Sequence, residues 1–312
     1  MRFIFRWLSI AFMVLVTLVS LTACSPQNVS QTIGSATSKI TGTTSSDGVS
    51  GTLDVYMLDI GQGDAILLQV GDSYHLIDTG DVDQRDTIVA QLKHMNIKKL
   101  DTIIITHPHA DHMGGFLALA KNFEIGTVYD DGVSVNSNTY KSYSKWIESH
   151  HIKHLVLTRG DTVDFGHGAV FSVLAPWKDD LDAVSDKQKK KDLNDYSIVG
   201  RLTFGKFSML FTGDMEKNEE AKLIKNDNTK LSSRILKVAH HGSPYTTSKD
   251  FIRSVRPEAA LISVGLHNDY HHPGEATLKR LQAENVSIYR TDTMGRIHIA
   301  TDGQSWKITT ER

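Results

Sequence analysis

Residues 100–115, LDTIIITHPHADHMGG, most limit what this chain can fold into: an almost wholly apolar, β-branched run ends in three histidines and an aspartate within six positions. Such a run reads as a buried strand, which needs cover on both faces. The donors then emerge at its C-terminal end, where α/β proteins gather functional groups. His107 and His109 lie two apart, so extended backbone sends both side chains to one side. Asp111 and His112 come where the chain turns into the next helix and face the same space from another direction. Imidazoles suit zinc and other transition metals, and an added carboxylate permits a second ion. A histidine-rich surface loop is the plainer reading, and the buried strand in front of the motif argues against it.

Four donors cannot complete two sites, so the reading requires others downstream. Asp214 closes SMLFTGD, the second strand of a hairpin turning at Gly205 and Lys206, and its carboxylate is placed to bridge two ions. His240 and His241 end ILKVA in AHHGS, and His267, His271 and His272 follow AALISVG in HNDYHHPG. Strand followed by donor is the recurring arrangement. His75, His94, His150, His151, His154, His167 and His298 lack that placement and are read as structural or solvated.

The remaining pattern alternates strands and helices. Strands are expected from Leu53 (LDVYMLDI), in AILLQV and YHLID, at 124–130, 154–157 and 169–174, and as three closing segments. Helices are expected at 85–94, 112–122, 137–150, 215–225, 248–255 and 274–284. That order predicts an α/β protein with helices outside central sheets. Ahead of it, Arg2 and Arg6 precede an apolar run from Trp7 to Val19 and then LTAC, which reads as a secretory signal. Residues 1–23 are therefore read as a signal peptide that resembles a lipoprotein leader, with Cys24, the chain's one cysteine, as the lipidation site. Residues 24–51, rich in Ser, Thr and Gly, read as a flexible tether, and 52–312 as the folded domain. The expected location is extracytoplasmic, lipid-anchored to a bacterial membrane.

HPHADH resembles the HxHxDH signature of the metallo-β-lactamase superfamily. MLDIGQGDAILLQ, LIDTGD, LFTGDM, VAHHGS and the HHP element resemble, in order, the blocks of the branch that contains the extracellular hydrolase domain of the competence DNA-uptake protein ComEC; a choline-binding phosphorylcholine esterase belongs to the same branch. The resemblance implies a four-layer αββα sandwich with a dinuclear site at the edge between two sheets. It makes His107, His109, Asp111, His112 and Asp214 metal ligands, with His240 the last ligand, for two zinc ions or alternatively manganese. Many members add a histidine between the motif and the bridging aspartate. None of the histidines in that interval ends an apolar strand just before Asp214, whereas Asn194–Ser197 (NDYS) fits the Asn-x-x-Ser of the ComEC-like branch. Asn194, Asp195 or water would then complete one site.

The implied chemistry is hydrolysis by metal-activated hydroxide, since a bound divalent metal brings the pKa of water down to about 7. Asp111 or Asp214 would orient the nucleophile, and His241 or His272 would protonate the leaving alkoxide, so Asp111, His241 and His272 form the expected catalytic set. Asp78 is read as holding the HxHxDH loop, while Asp59 and Asp64 divide evenly between turn-forming and pocket roles. Pro108 stiffens the motif, and Gly114 with Gly115 allow a close helix start. The resemblance favours a phosphodiester substrate, first of all single-stranded DNA. Without the leader, 32 basic residues face 36 acidic ones, a net charge of −4, which is no polyanion-binding footprint and keeps a phosphorylcholine-type ester as the alternative. The KQKKK run at 187–191 is flanked by aspartates and reads as a solvated loop. A noncatalytic ligand-binding lipoprotein is the reading from a different class.

Overall fold

The computed structural model describes residues 48–184 and 192–312. The expected leader, Cys24, most of the tether and the KQKKK run lie outside the described residues. The strands are, in chain order, β1 (Leu53–Met57), β2 (Ile66–Val70), β3 (Ser73–Ile77), β4 (Lys99–Ile104), β5 (Glu124–Asp130), β6 (Lys153–Val156), β7 (Thr162–Gly166), β8 (Ala169–Ala175), β9 (Val199–Phe204), β10 (Phe207–Phe211), β11 (Ile235–Lys237), β12 (Ala259–Ile262), β13 (Ser287–Arg290), β14 (Ile297–Thr301) and β15 (Trp306–Thr310). They form two sheets, ordered β15-β14-β1-β2-β3-β4-β5-β6 and β13-β12-β11-β10-β9-β8-β7.

The two-residue side-chain period of each strand decides the layering. Leu53, Val55 and Met57 of β1, with Ile66 and Leu68 of β2, meet Phe207, Met209 and Phe211 of β10 in a core between the sheets. Leu67 of β2, on the opposite face, joins Ile88, Leu92, Phe116 and Tyr143 from helices Arg85–His94, Phe116–Asn122 and Asn138–Ser149. On the second sheet, Leu210 and Leu236 meet Leu223 and Phe251 from helices Lys217–Leu231 and Lys249–Val255. Ala260 and Ile262 meet Leu281 of helix Glu275–Ala283. The result is the expected four-layer αββα sandwich.

Local boundaries differ where the tertiary environment outweighs propensity. The helix expected at 112–122 is two pieces, Ala110–Met113 and Phe116–Asn122, and a Cβ on Gly115 would stand 2.1 Å from the Thr79 carbonyl oxygen. The chain breaks there because the LIDTGD turn occupies the space against it. The ILKVA strand ends at Lys237, where the backbone turns into the segment bearing His240 and His241. Packing also starts ahead of residue 52: Val49 is only 3% exposed and the Ser50 N–H donates to His167 O at 3.1 Å.

Parallel pairing aligns the ends that matter. β3 runs parallel to β4, and β10, β11 and β12 run parallel to one another. The residues following these strands therefore come out along one edge. Hydrogen bonds across that edge tie the sheets together, from Ile198 N to Thr106 O at 2.9 Å and from Ser263 Oγ to Gly63 O at 3.0 Å.

Candidate metal centre

Along this edge Asp111, His112, Asp214 and His241 each bring one ligand atom to within 4.8 Å of the others. His112 Nε2 is 3.2 Å from Asp214 Oδ2 and 3.8 Å from Asp111 Oδ2. His241 Nε2 is 3.4 and 3.3 Å from the same two oxygens. The far nitrogens of both rings are held. His112 Nδ1 lies 2.8 Å from Asp78 Oδ2, and His241 Nδ1 lies 2.9 Å from the Ser263 carbonyl oxygen. Both Nε2 atoms are buried without a hydrogen-bond partner, as is Asp214 Oδ1. Imidazoles fixed through one nitrogen, with the other aimed at shared carboxylates, are the arrangement that metal ligation uses, and these residues fit a divalent ion.

Asp78 is the organiser of this half. It has a positive φ of 60° and accepts from the Thr106 N–H at 2.7 Å and from Thr106 Oγ1 at 2.8 Å, besides facing His112. The LIDTGD turn is further tied to the motif by Thr79 N–H and Oγ1, which both donate to His112 O. Its expected role of holding the HxHxDH loop corresponds to this geometry.

His107 and His109 form a neighbouring imidazole pair, His107 Nε2 and His109 Nδ1 being 3.0 Å apart. The cavity beside them, of about 330 Å³, also reaches Asp111, Asn194, His240 and His272. Asn194 sits on the short turn Leu193–Tyr196 with its Oδ1 buried and without a hydrogen-bond partner, and Ser197 accepts from the Asp214 N–H at 3.1 Å. The NDYS element thus lines the cavity through its first residue and anchors Asp214 through its last. The interval's histidines lie elsewhere: His150 stacks on Trp146, His154 pairs with Asp130 and His167 with Ser50.

The structure separates the adjacent His240 and His241. His241, rather than His240, completes the four-donor cluster. Both residues have left-handed backbone, with φ of 50° and 52°, and their rings stand at 73° to one another. His240 Nδ1 is directed to Glu216 at 2.8 Å, and its Nε2 comes no nearer Asp214 Oδ2 than 3.9 Å. Two consecutive non-glycine residues in this region cost roughly 1–3 kcal/mol each, a local strain concentrated at the site. His272 lines the cavity with its ring 5.5 Å from that of His240, whereas His267 and His271 are exposed.

Lys237 and Asp64 are buried and ion-paired, and Lys237 Nζ also lies 3.7 Å from Asp214 Oδ1 and donates to Gly213 O at 3.1 Å. Lysine 237 carried no signal in the sequence because it falls inside an apolar strand. Asp64 joins the site, 3.5 Å from His241 Nδ1, while Asp59 pairs with Arg312 away from it.

The electrostatics follow from this crowding. Burial alone would lower His112, yet Asp214, Asp78 and Asp111 outweigh it and push the ring well above the usual imidazole range. His241 is raised to about 10 in the same way, burial being overcome by Asp214 and Asp64. Asp214 is held well below the carboxylate range because His112 and His241 overcome its burial. Burial, with His240 and His241 beside it, lowers His272 to about 4. Four carboxylates against Lys237 make this a place for cations, and protons on the two imidazoles or a divalent ion satisfy the same charge.

Comparison with known proteins agrees with the architecture. The profile of the metallo-beta-lactamase superfamily matches residues 58–266. Competence protein ComA of Neisseria gonorrhoeae is 30% identical over 244 residues, 78% of this chain and 31% of that protein. ComE operon protein 3 of Bacillus subtilis strain 168 is 30% identical over 264 residues, 78% of this chain and 32% of that protein. The chain thus spans about a third of the length of these curated relatives. Among solved structures, the metallo-beta-lactamase fold protein YhfI of Bacillus subtilis superposes with a TM-score of 0.54 at 14% identity, covering 80% of this chain and 99% of that one, a likeness of fold. The chain belongs to the metallo-β-lactamase superfamily and is ComEC-like within it.

Proposed function

We propose that the chain is an extracytoplasmic, metal-dependent phosphodiesterase whose first substrate class is single-stranded DNA. The observation that carries the reading is the convergence of Asp111, His112, Asp214 and His241, three of which, Asp111, Asp214 and His241, line an open cavity. A relative named as a competence protein supports the choice of DNA. A divalent metal, zinc or manganese, would be held by these four residues, with His107 and His109 beside them, and when bound supplies Lewis-acid activation of water and charge stabilisation for phosphodiester oxygens. The chain's own part is to fix that arrangement. Asp78 and the Ser263 carbonyl orient the two imidazoles, Ser197 and Lys237 position Asp214, and Asp111 and His272 line the space a substrate enters. Lipid attachment at Cys24 would hold the domain at the outer face of the membrane. The net charge of −4 without the leader favours a phosphorylcholine-type ester as the second reading.

The test is metal analysis of the purified protein, followed by incubation with labelled single-stranded DNA and with a phosphorylcholine ester, with zinc or manganese present. Metal-dependent DNA cleavage that Asp214→Asn abolishes is the expected result. Absence of bound metal, or cleavage indifferent to that substitution, would exclude the reading.

A further inference from the structure

Exposed large apolar side chains among the described residues are few: Leu155, Val156, Tyr245, Leu266 and Tyr270. Three of the five stand on the two loops beside the metal centre. Tyr270, 68% exposed, borders the metal cavity and stacks on His272 with centroids 5.9 Å apart. His272 in turn meets His240, and His240 meets Glu216. On the other side of Glu216 a second cavity opens, of about 510 Å³, bordered by Lys217, Tyr245 and Lys249. His240 of the first cavity and Glu216 of the second are thus in direct contact.

Tyr245 is 78% exposed, yet its loop is rigidly held. Arg280 donates to the carbonyl oxygens of Pro244, Thr246 and Thr247 at 2.7–3.0 Å. Glu220 accepts from Thr247 N–H and Ser248 N–H, and Gly274 N–H donates to Gly242 O at 2.9 Å, stitching this loop to the one that bears Tyr270. Tyr245 is thus an aromatic ring left in water on a braced loop. The nearby cations are available: Lys217 has no ion pair among the described residues, and Lys249 reaches Glu284 only at 3.9 Å.

We infer that the second cavity is a subsite for the strand that continues from the metal centre, with Tyr270 and Tyr245 stacking bases and Lys217 and Lys249 meeting phosphates. Exposed rings with cations beside them suit a single-stranded nucleic acid, because every base offers a π-face and every linkage a charge. Two lysines beside Tyr245 disfavour a quaternary ammonium, which an aromatic surface would otherwise attract. The inference rests on the phosphodiesterase reading and names its polymeric substrate.

The experiment compares Tyr245→Ala, Tyr245→Phe and Lys217→Glu/Lys249→Glu with the parent protein in two assays: binding of a fluorescent oligothymidylate under chelation, and metal-dependent hydrolysis of bis(p-nitrophenyl) phosphate, which is small enough to need only the metal cavity. Tyr245→Ala and the lysine pair are expected to weaken oligonucleotide binding roughly 5- to 100-fold, Tyr245→Phe to retain it, and hydrolysis of the small ester to stay unchanged in all three. Oligonucleotide affinity untouched by these substitutions, or a parent protein that hydrolyses the small ester and binds no oligonucleotide, overturns the subsite while the phosphodiesterase reading stands. Failure of the parent to hydrolyse the small ester with either metal removes that reading itself and the inference with it.

Discussion

Asp78→Asn isolates the orientation of His112 from the presence of His112. The carboxylate accepts three hydrogen bonds in a site 1% exposed: from the Thr106 N–H, the Thr106 hydroxyl and His112 Nδ1. An asparagine amide keeps one acceptor oxygen for the Thr106 N–H and turns its NH2 toward the other two. Thr106 Oγ1 can rotate to accept, but His112 Nδ1 can accept only in the other tautomer, which moves the ring proton to Nε2. Nε2 is the atom that faces Asp214 at 3.2 Å, so a proton there removes it as a ligand. Loss of such an orienting partner weakens metal binding roughly 10- to 100-fold, or about 1.4–2.7 kcal/mol. The buried mismatch costs the fold a further 1–3 kcal/mol or so. Titration with zinc against a chromophoric chelator reads the first quantity, and thermal melting of the metal-free protein reads the second. Zinc affinity equal to that of the parent, in a variant that is folded, would refute the idea that Asp78 sets the tautomer.

Three further outcomes follow from the geometry. His241→Ala should lower zinc affinity at the four-donor cluster far more than His240→Ala, because only His241 Nε2 lies within 3.5 Å of both Asp111 and Asp214; equal losses in a metal titration would restore His240 as the ligand. Lys237→Met strands the Asp64 and Asp214 carboxylates and should destabilise the metal-free protein by about 3–5 kcal/mol, visible as a large drop in denaturant midpoint. His75, 4% exposed and lowered to about 4 by burial, binds its proton less readily folded than unfolded. Stability contributed by the neutral ring is complete above the unfolded value near 6.5 and declines as pH falls toward 4, by at most about 3 kcal/mol. Replacing it by leucine should flatten the stability profile across that window, and an unchanged acid limb would show that other groups govern it.

Legibility varied with the range of the interaction. The strands were legible as short apolar runs bounded by turns because both signals are local, and the Asn194–Ser197 element was readable by its resemblance. The split of the helix after the motif was not, since the obstacle is the Thr79 carbonyl, from another turn. Val49 shows the same limit at the domain start: a Ser/Thr/Gly-rich neighbourhood reads as tether, yet one valine finds the core.

By itself the sequence determined an α/β protein with helices outside its sheets, the position of HPHADH after a buried strand, and Asp214 and the His240–His241 pair as candidate donors at strand ends, because the order of elements and strand-end placement follow from covalent spacing, whereas the four-layer sandwich was implied by the family resemblance. Only the tertiary structure decided which of two adjacent histidines turns inward, since left-handed backbone at both positions sends one ring to Glu216 and the other to the cluster. It also decided that Lys237 and Asp64, 173 positions apart in sequence, share one buried ion pair. Electrostatic partners acting through a low-dielectric interior are chosen by proximity in space, and proximity across two sheets leaves no trace in the spacing of residues along either one.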